Sequence, residues 1–303
     1  MIRVRFLGTA AARPTVARNV SGIAVQREGE SFLWDCGEGT QRQIMRYGSG
    51  FSFSHIFITH AHADHFLGIP GLLRTMGLQG REEPMTVYGP AGSGPLLEAA
   101  VRMGVERLHF PVHVRSLEDG ERVDFRGWAV HAFAVDHGVA AFGYALVEEA
   151  RLGRFDVEAV RRLGVPEGPL YGRLHRGETI EMDGRVISPD DVVGQPRPGR
   201  KVVYSGDTRP NRRTVEMAVG ADLLIHEATF GADEDKRARE TRHSTAAEAA
   251  DVAARARTRQ LVLTHISARY SDAPRLLRRQ ARAVFAATEV AHDGLELEIG
   301  YRE

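Results

Sequence analysis

Cysteine is nearly absent from this 303-residue chain: Cys36 stands alone, so no intrachain disulfide can form and a reducing compartment is expected. Long apolar runs are missing too. No stretch approaches the roughly 18 residues that a membrane-crossing helix needs. The opening residues, Met1 to Leu7, alternate like a first strand and carry no signal-peptide cleavage pattern. The expected address is therefore the cytoplasm, with no membrane partner. An excess of either charge is also lacking, since 40 lysines and arginines face 40 aspartates and glutamates. The global basic excess common in nucleic-acid proteins is absent, so any surface of that kind has to be local.

What is present is ordinary for a globular enzyme, 43% apolar and 26% charged, in a chain long enough to bury a sizeable core. Arg3 to Leu7, Gly22 to Arg27 and Ser31 to Asp35 read as strands, with a Gly/Pro loop from Gly8 to Asn19. Phe53 to Thr59 reads as a buried strand, Leu67 to Met76 and Pro95 to Met103 as helices. Val123 to Phe133 and Ala141 to Val147 alternate as strands. After Lys201 come short apolar strands at Lys201 to Tyr204, Asp222 to His226 and Gln260 to Thr264. Between and after them lie an alanine-rich helix, Thr245 to Arg257, opened by a Thr245/Glu248 capping box, and a closing helix, Asp272 to Ala287. This order fits a layered α/β architecture with its sheets inside. The stretch from Glu149 to Arg200 breaks the pattern. It is rich in proline, glycine and charge and shows no sustained period, which marks a functional insertion such as a binding arm.

The densest chemical signal is Thr59-His60-Ala61-His62-Ala63-Asp64-His65, placed directly after an apolar strand. Imidazole and carboxylate at a chain turn suit zinc, and also iron or manganese. His60 and His62 share a direction if strand geometry continues, while Asp64 and His65 lie past the turn, within reach of a second ion. Three later residues follow the same grammar: His137, Asp207 and His265 each stand just beyond a short strand. Strands of one sheet deliver ligands to a shared edge in this way.

His-x-His-x-Asp-His with the later His, Asp and His resembles the metallo-β-lactamase superfamily over the length of the chain. The resemblance implies an αβ/βα four-layer sandwich in a single domain, residues 1–303, with a flexible arm inserted within 149–200. It implies two Zn2+ per subunit (Mn2+ or Fe2+ in their place), one held by His60, His62 and His137. The other would be held by Asp64, His65 and His265, with Asp207 bridging. Such a pair lowers the pKa of a bound water and clamps both oxygens of an in-line displacement.

Further segments narrow the resemblance to the ribonuclease Z family. Asp35-Cys36-Gly37-Glu38-Gly39-Thr40-Gln41 is similar to that family's Asp-x-Gly-Glu-Gly-Thr-Gln block. Asp35 is read there as supporting the metal site by hydrogen bonding, and Cys36 as a small buried residue. Pro14 to Asn19 is similar to its Pro-x-Lys-x-Arg-Asn loop, with Val16 in place of the lysine and Arg18 and Asn19 retained. Gly164 to Gly177 resembles the tip of its tRNA-gripping arm, putting Gly168, Pro169, Arg173 and Arg176 on substrate. His226-Glu227-Ala228-Thr229-Phe230 and His243-Ser244-Thr245 complete the match.

The resemblance implies an endoribonuclease that trims the 3′ trailer from precursor tRNA, leaving a 3′-hydroxyl, and a homodimer whose arms reach across subunits. Asp64 would act as ligand and candidate base, and His243 as proton donor to the leaving oxygen. Beside the helix that follows, the imidazolium of His243 would be disfavoured, and a contact from Glu227 would oppose that effect and hold the tautomer. His226 reads as structural. Thr208, Arg209 and Arg269 lie next to ligands and are candidate phosphate contacts. Other readings stay open at this point: a lactonase, arylsulfatase or small-molecule phosphodiesterase on the same fold, or a zinc-holding RNA-binding relative without catalysis.

Overall fold

The structure, a computed structural model, describes residues 1–104 and 107–302. They form two compact units, residues 1–147 with 200–302, and Glu148–Gly199. In the larger unit, one seven-stranded sheet runs in the order Glu296–Ile299, Ile2–Gly8, Gly22–Arg27, Glu30–Cys36, His55–Phe57, Met85–Pro90, Val112–Leu117. The second seven-stranded sheet runs Thr288–Val290, Leu261–Thr264, Leu223–Glu227, Lys201–Tyr204, Phe142–Glu148, Trp128–Ala134, Arg122–Phe125. Both sheets are mixed. Glu30–Cys36 through Val112–Leu117 are mutually parallel, as are Lys201–Tyr204 through Thr288–Val290.

Alternation explains the layering. In Ile2–Gly8, Ile2, Val4 and Phe6 point one way and join Val25, Phe32, Trp34, Tyr144, Val202, Tyr204, Ile225 and Val262 in a core between the sheets. Leu7, Leu33 and Ile56 face out and are covered by helices Thr40–Tyr47, Ile69–Leu78 and Gly94–Arg102. Across the molecule, Val203, Leu224 and Leu263 are covered by Ala246–Ala256 and Pro274–Arg282. The helix Ala246–Ala256 opens with the expected capping box, Thr245 and Glu248 each bonding back to the other's backbone N–H. Helix, sheet, sheet, helix is the four-layer sandwich.

Some boundaries differ from those expected. The Val123 to Phe133 run is broken by a turn at Gly127 (φ 79°) into a hairpin, Arg122–Phe125 with Trp128–Ala134. The buried strand before the histidines is only His55–Phe57, and the closing helix stops at Arg282. Thr40–Tyr47 is a helix without a clear apolar period, because only Thr40, Gln43 and Ile44 on its polar surface are buried. Among the described residues no helix is long and apolar enough to cross a membrane.

The unit Glu148–Gly199 differs most from expectation. Expected as irregular, it contains helices Val157–Arg162 and Pro169–His175 and a hairpin, Ile180–Met182 with Arg185–Ile187. Val160, Val165, Leu174, Ile180, Ile187 and Val192 form a small core of its own. These apolar residues are spread across several short elements, so no single period exposes them.

Candidate metal centre

Strand ends of both sheets supply the centre. His60 to His65 follow His55–Phe57, His137 follows Trp128–Ala134, Asp207 follows Lys201–Tyr204, and His265 follows Leu261–Thr264. His265 (φ 53°) and Asp35 (φ 58°) sit in the left-handed region that side chains rarely adopt. Such strain persists where surrounding structure enforces it, and it gathers at functional sites. Gly37 meets a different demand: a Cβ there would lie 2.2 Å from the Asp64 carbonyl oxygen. The Gly-Glu-Gly turn therefore packs directly under the histidine loop.

The ring tautomers follow from the bonds on each Nδ1 or Nε2. Asp35 is fully buried and its carboxylate can only accept, so His65 Nδ1–H donates to it at 2.8 Å. The Thr59 backbone N–H (2.8 Å) and the Tyr204 hydroxyl (2.8 Å) donate to the same carboxylate. Thr229 gives its hydroxyl proton to Glu227 at 2.8 Å, so its oxygen accepts from His265 Nδ1–H at 3.0 Å. Both His65 and His265 are left with a bare Nε2. The His65 Nε2 faces Asp207 at 3.3 Å and Asp64 at 3.5 Å. The His265 Nε2 faces the same carboxylates, each at 3.3 Å.

A second set lies alongside. His137 Nδ1–H donates to the Arg242 carbonyl at 3.1 Å, freeing Nε2, which lies 3.3 Å from His62 Nδ1. His60 Nε2 is 2.9 Å from the same atom. Asp207 stands between the sets, 3.8 Å from His60 Nε2.

Lone pairs facing lone pairs and carboxylates in a buried site are unstable unless a cation lies among them. Asp207 Oδ1 and His65 Nε2 are buried without a hydrogen-bond partner, which is the signature such a cation would leave. The trios His60/His62/His137 and Asp64/His65/His265 each present donor atoms within 4.8 Å of one another, and His60/His65/Asp207 links them. The donor set fits divalent metal.

Without a cation the charges compensate each other. Burial opposes protonation of His65, but Asp207, Asp35 and Asp64 hold it well above the ordinary imidazole range. Burial disfavours the carboxylate of Asp207, yet His265 and His65 hold it well below its usual value. Asp64 is likewise held low, by His65 and His265 against burial. His60 is pushed well below the usual range by burial and by His65.

His243 caps this edge. Its Nδ1–H donates to Glu227 Oε1 at 2.8 Å, and Glu227 is itself fixed by the Thr208 and Thr229 backbone N–H groups. Burial lowers the His243 pKa, but the Glu227 charge and hydrogen bond raise it to about 9. The expected contact from Glu227 is present and favours the imidazolium. His226 lies outside the centre, fully buried, with Nδ1 on the Glu227 carbonyl.

Several expected substrate contacts are internal. Arg18 is 5% exposed, and its Nη1 donates to Thr9 Oγ1 and the Ala291 carbonyl at 2.7 and 2.6 Å. It ties the loop down and is not a free cation there. Thr208 is fully buried, with its hydroxyl on the Arg209 carbonyl. Arg209 pairs with Glu248 and donates to the His243 carbonyl at 2.6 Å, and Arg269 pairs with Glu234. Asn19 is half-buried, bridging Glu38 and Asp293. Gly168, Pro169, Arg173 and Arg176 are exposed on the smaller unit, both arginines pairing with Glu178. Sequence reasoning missed Thr59, Tyr204 and Thr229. Tyr204 directly after Val202 and Val203 was the available signal, because a buried hydroxyl needs a partner.

The comparisons agree with this geometry. Residues 15–257 match the model of the metallo-β-lactamase superfamily. Ribonuclease Z of Myxococcus xanthus is 53% identical over 305 residues, covering 100% of this chain and 99% of that one. Ribonuclease Z of Gemmatimonas aurantiaca is 56% identical, covering 99% and 96%. The crystal structure of the short form of human tRNase Z superposes with a TM-score of 0.72 at 29% identity, covering 98% of this chain and 99% of that one. The chain belongs to the ribonuclease Z family of the metallo-β-lactamase superfamily.

Proposed function

We propose that this chain is a metal-dependent endoribonuclease that removes the 3′ trailer from precursor tRNA by phosphodiester hydrolysis, leaving a 3′-hydroxyl. The observation that carries the reading is the joined pair of donor trios beneath His243, in a chain similar over its full length to ribonucleases Z. His60, His62 and His137 would hold one ion, Asp64, His65 and His265 the other, and Asp207 would reach both. The nitrogen-rich donor set favours zinc. Bound ions would supply Lewis acidity and a nucleophile at neutral pH.

The chain's own residues do the rest. Asp64 accepts from the Ala12 N–H at 3.0 Å, and its ionised carboxylate is a proton acceptor beside the scissile phosphate. Glu227 engages Nδ1 of His243, so the proton His243 can give the leaving 3′-oxygen is the one on Nε2. Cations nearby would draw the His243 pKa down from about 9, toward the range where a general acid works best.

The unit Glu148–Gly199 serves as the exosite that grips tRNA. The carboxylate partners of Arg161, Arg173 and Arg176 are exposed, and exposed pairs are worth little, so phosphates replace them at small cost. The assembly is a homodimer in the cytoplasm, where burial keeps the Cys36 thiol protonated, its pKa pushed up to about 12. Chain-end mapping on a labelled precursor tRNA tests this reading. One cut beside the discriminator nucleotide, lost on chelation and in Asp64→Ala, supports it. Metal-dependent hydrolysis of a lactone or aryl sulfate with intact precursor tRNA would overturn it.

A further inference from the structure

Several surface helices pair an arginine with an acid one turn away: Arg102 with Glu98, Arg212 with Glu216, Arg239 with Asp235, Arg255 with Asp251, whereas Thr40–Tyr47 carries Arg42 and Arg46 with no acid of its own. The helix Pro274–Arg282 concentrates four arginines. Its sequence, PRLLRRQAR, contains no acid, and Arg275, Arg278, Arg279 and Arg282 are all exposed. Among the described residues none of the four forms an ion pair; only Arg282 has a polar tie, to the Thr288 carbonyl at 2.7 Å. Leu277 and Ala281 are buried against the sheet, so the arginines, spaced i, i+3, i+4 and i+7, share the outer face.

This arrangement works against the helix. Arg275 lies in the first turn, where the backbone dipole disfavours a cation. Arg275 with Arg279, and Arg278 with Arg282, repel at i, i+4 spacing. A feature that lowers stability without local compensation points to a partner that supplies the missing charge.

Topology places this face. The helix is the crossover between parallel strands Leu261–Thr264 and Thr288–Val290, and the first of these runs directly into His265. The crossover therefore starts at the catalytic edge and leads away from it. Beside its first turns lies a cavity of about 490 Å3 lined by Arg275, Arg278 and His292 together with the internally bonded Arg18, with Glu289 as the one acid.

We propose that the Pro274–Arg282 face is a phosphate track that guides the RNA backbone to the catalytic edge, an inference resting on the endoribonuclease reading above. Planar guanidiniums suit phosphate, and backbone contacts fix register without reading sequence.

The test is the triple variant Arg275→Gln, Arg278→Gln, Arg279→Gln, with Arg102→Gln/Arg212→Gln as a control for charge removed elsewhere. KM for precursor tRNA is measured across salt concentrations, alongside turnover of bis(p-nitrophenyl) phosphate. KM should rise about 10-fold or more near 0.15 M salt, and the log–log salt slope should fall by about 2–3, from three lost contacts at roughly 0.7–0.9 each. Turnover of the small diester should stay within twofold in both variants. A KM and slope matching the parent's would overturn the track while leaving the endoribonuclease intact. A parent that binds but does not cut precursor tRNA would overturn the reading beneath it. In that case, fluorescence anisotropy with a precursor carrying a methylphosphonate at the scissile position still decides whether the helix binds RNA.

Discussion

Replacing Asp35 by Asn probes how the centre is held without touching a proposed ligand. The side chain is fully buried, and both carboxylate oxygens are occupied by donors: Thr59 on Oδ1, His65 Nδ1 and the Tyr204 hydroxyl on Oδ2. Its backbone is left-handed at φ 58°, a conformation Asn tolerates well, so the main chain should not confound the result. The new amide turns one accepting edge into a donating one. Facing His65, it would force Nδ1 to accept and send the ring proton to Nε2, the atom aimed at Asp64 and Asp207. Facing Thr59, it would set two donors against each other in a dry site. Loss of such a supporting bond lowers metal affinity about 10–100-fold, equivalent to about 1.4–2.8 kcal/mol. A buried unsatisfied donor costs a further 1–3 kcal/mol or so of fold stability. Chelator competition reads the affinity and thermal unfolding reads the stability. Affinity within twofold of the parent, with unchanged Tm, would refute the tautomer argument.

Gly37→Ala should abolish cleavage and lower stability by about 1–3 kcal/mol, since its Cβ would meet the Asp64 carbonyl at 2.2 Å; calorimetry showing a parental Tm contradicts this. Thr229→Val removes the acceptor for His265 Nδ1–H and a donor to Glu227, so metal affinity should fall roughly 10-fold, whereas Thr229→Ser should restore it. If Ser and Val behave alike in chelator competition, the hydroxyl has no positioning role. Asp293 supplies a pH test. Burial raises its carboxyl pKa, against hydrogen bonds from Asn19 and Thr9 and the charges of Arg18 and Arg46. A raised folded-state value means the folded chain binds the proton more tightly than the unfolded chain does. This group's contribution is thus favourable in acid and is lost as pH climbs through the raised value. The Tm of Asp293→Asn relative to the parent should therefore increase with pH just above the ordinary carboxylate range, and parallel Tm profiles would dismiss the effect.

The residues legible in the sequence were those whose meaning is local. His60 to His65 crowd ligands into a few positions after an apolar run, and Thr245 with Glu248 announces a helix start by spacing alone. The burial of Arg18 and Thr208 was not legible because exposure is a tertiary property: both flank motif residues, yet Thr9 and Ala291 enclose one and Glu227 fixes the backbone of the other. The core of Glu148–Gly199 stayed hidden for a related reason, its apolar residues lying on short elements too brief for any period to emerge. The Pro274–Arg282 helix was visible as a helix, but that its four arginines share one exposed face without an ion pair depends on which side the sheet covers.

In the function proposed above, side chains from the strand ends of both sheets form one two-ion hydrolytic centre joined by Asp207. Metal content per chain, measured by elemental analysis after dialysis, decides this. The parent should hold about two ions, retained in the distant control Arg102→Gln/Arg212→Gln and falling toward one in His137→Ala, with cleavage lost in the latter. A single ion in the fully active parent, or full activity with none, would contradict it.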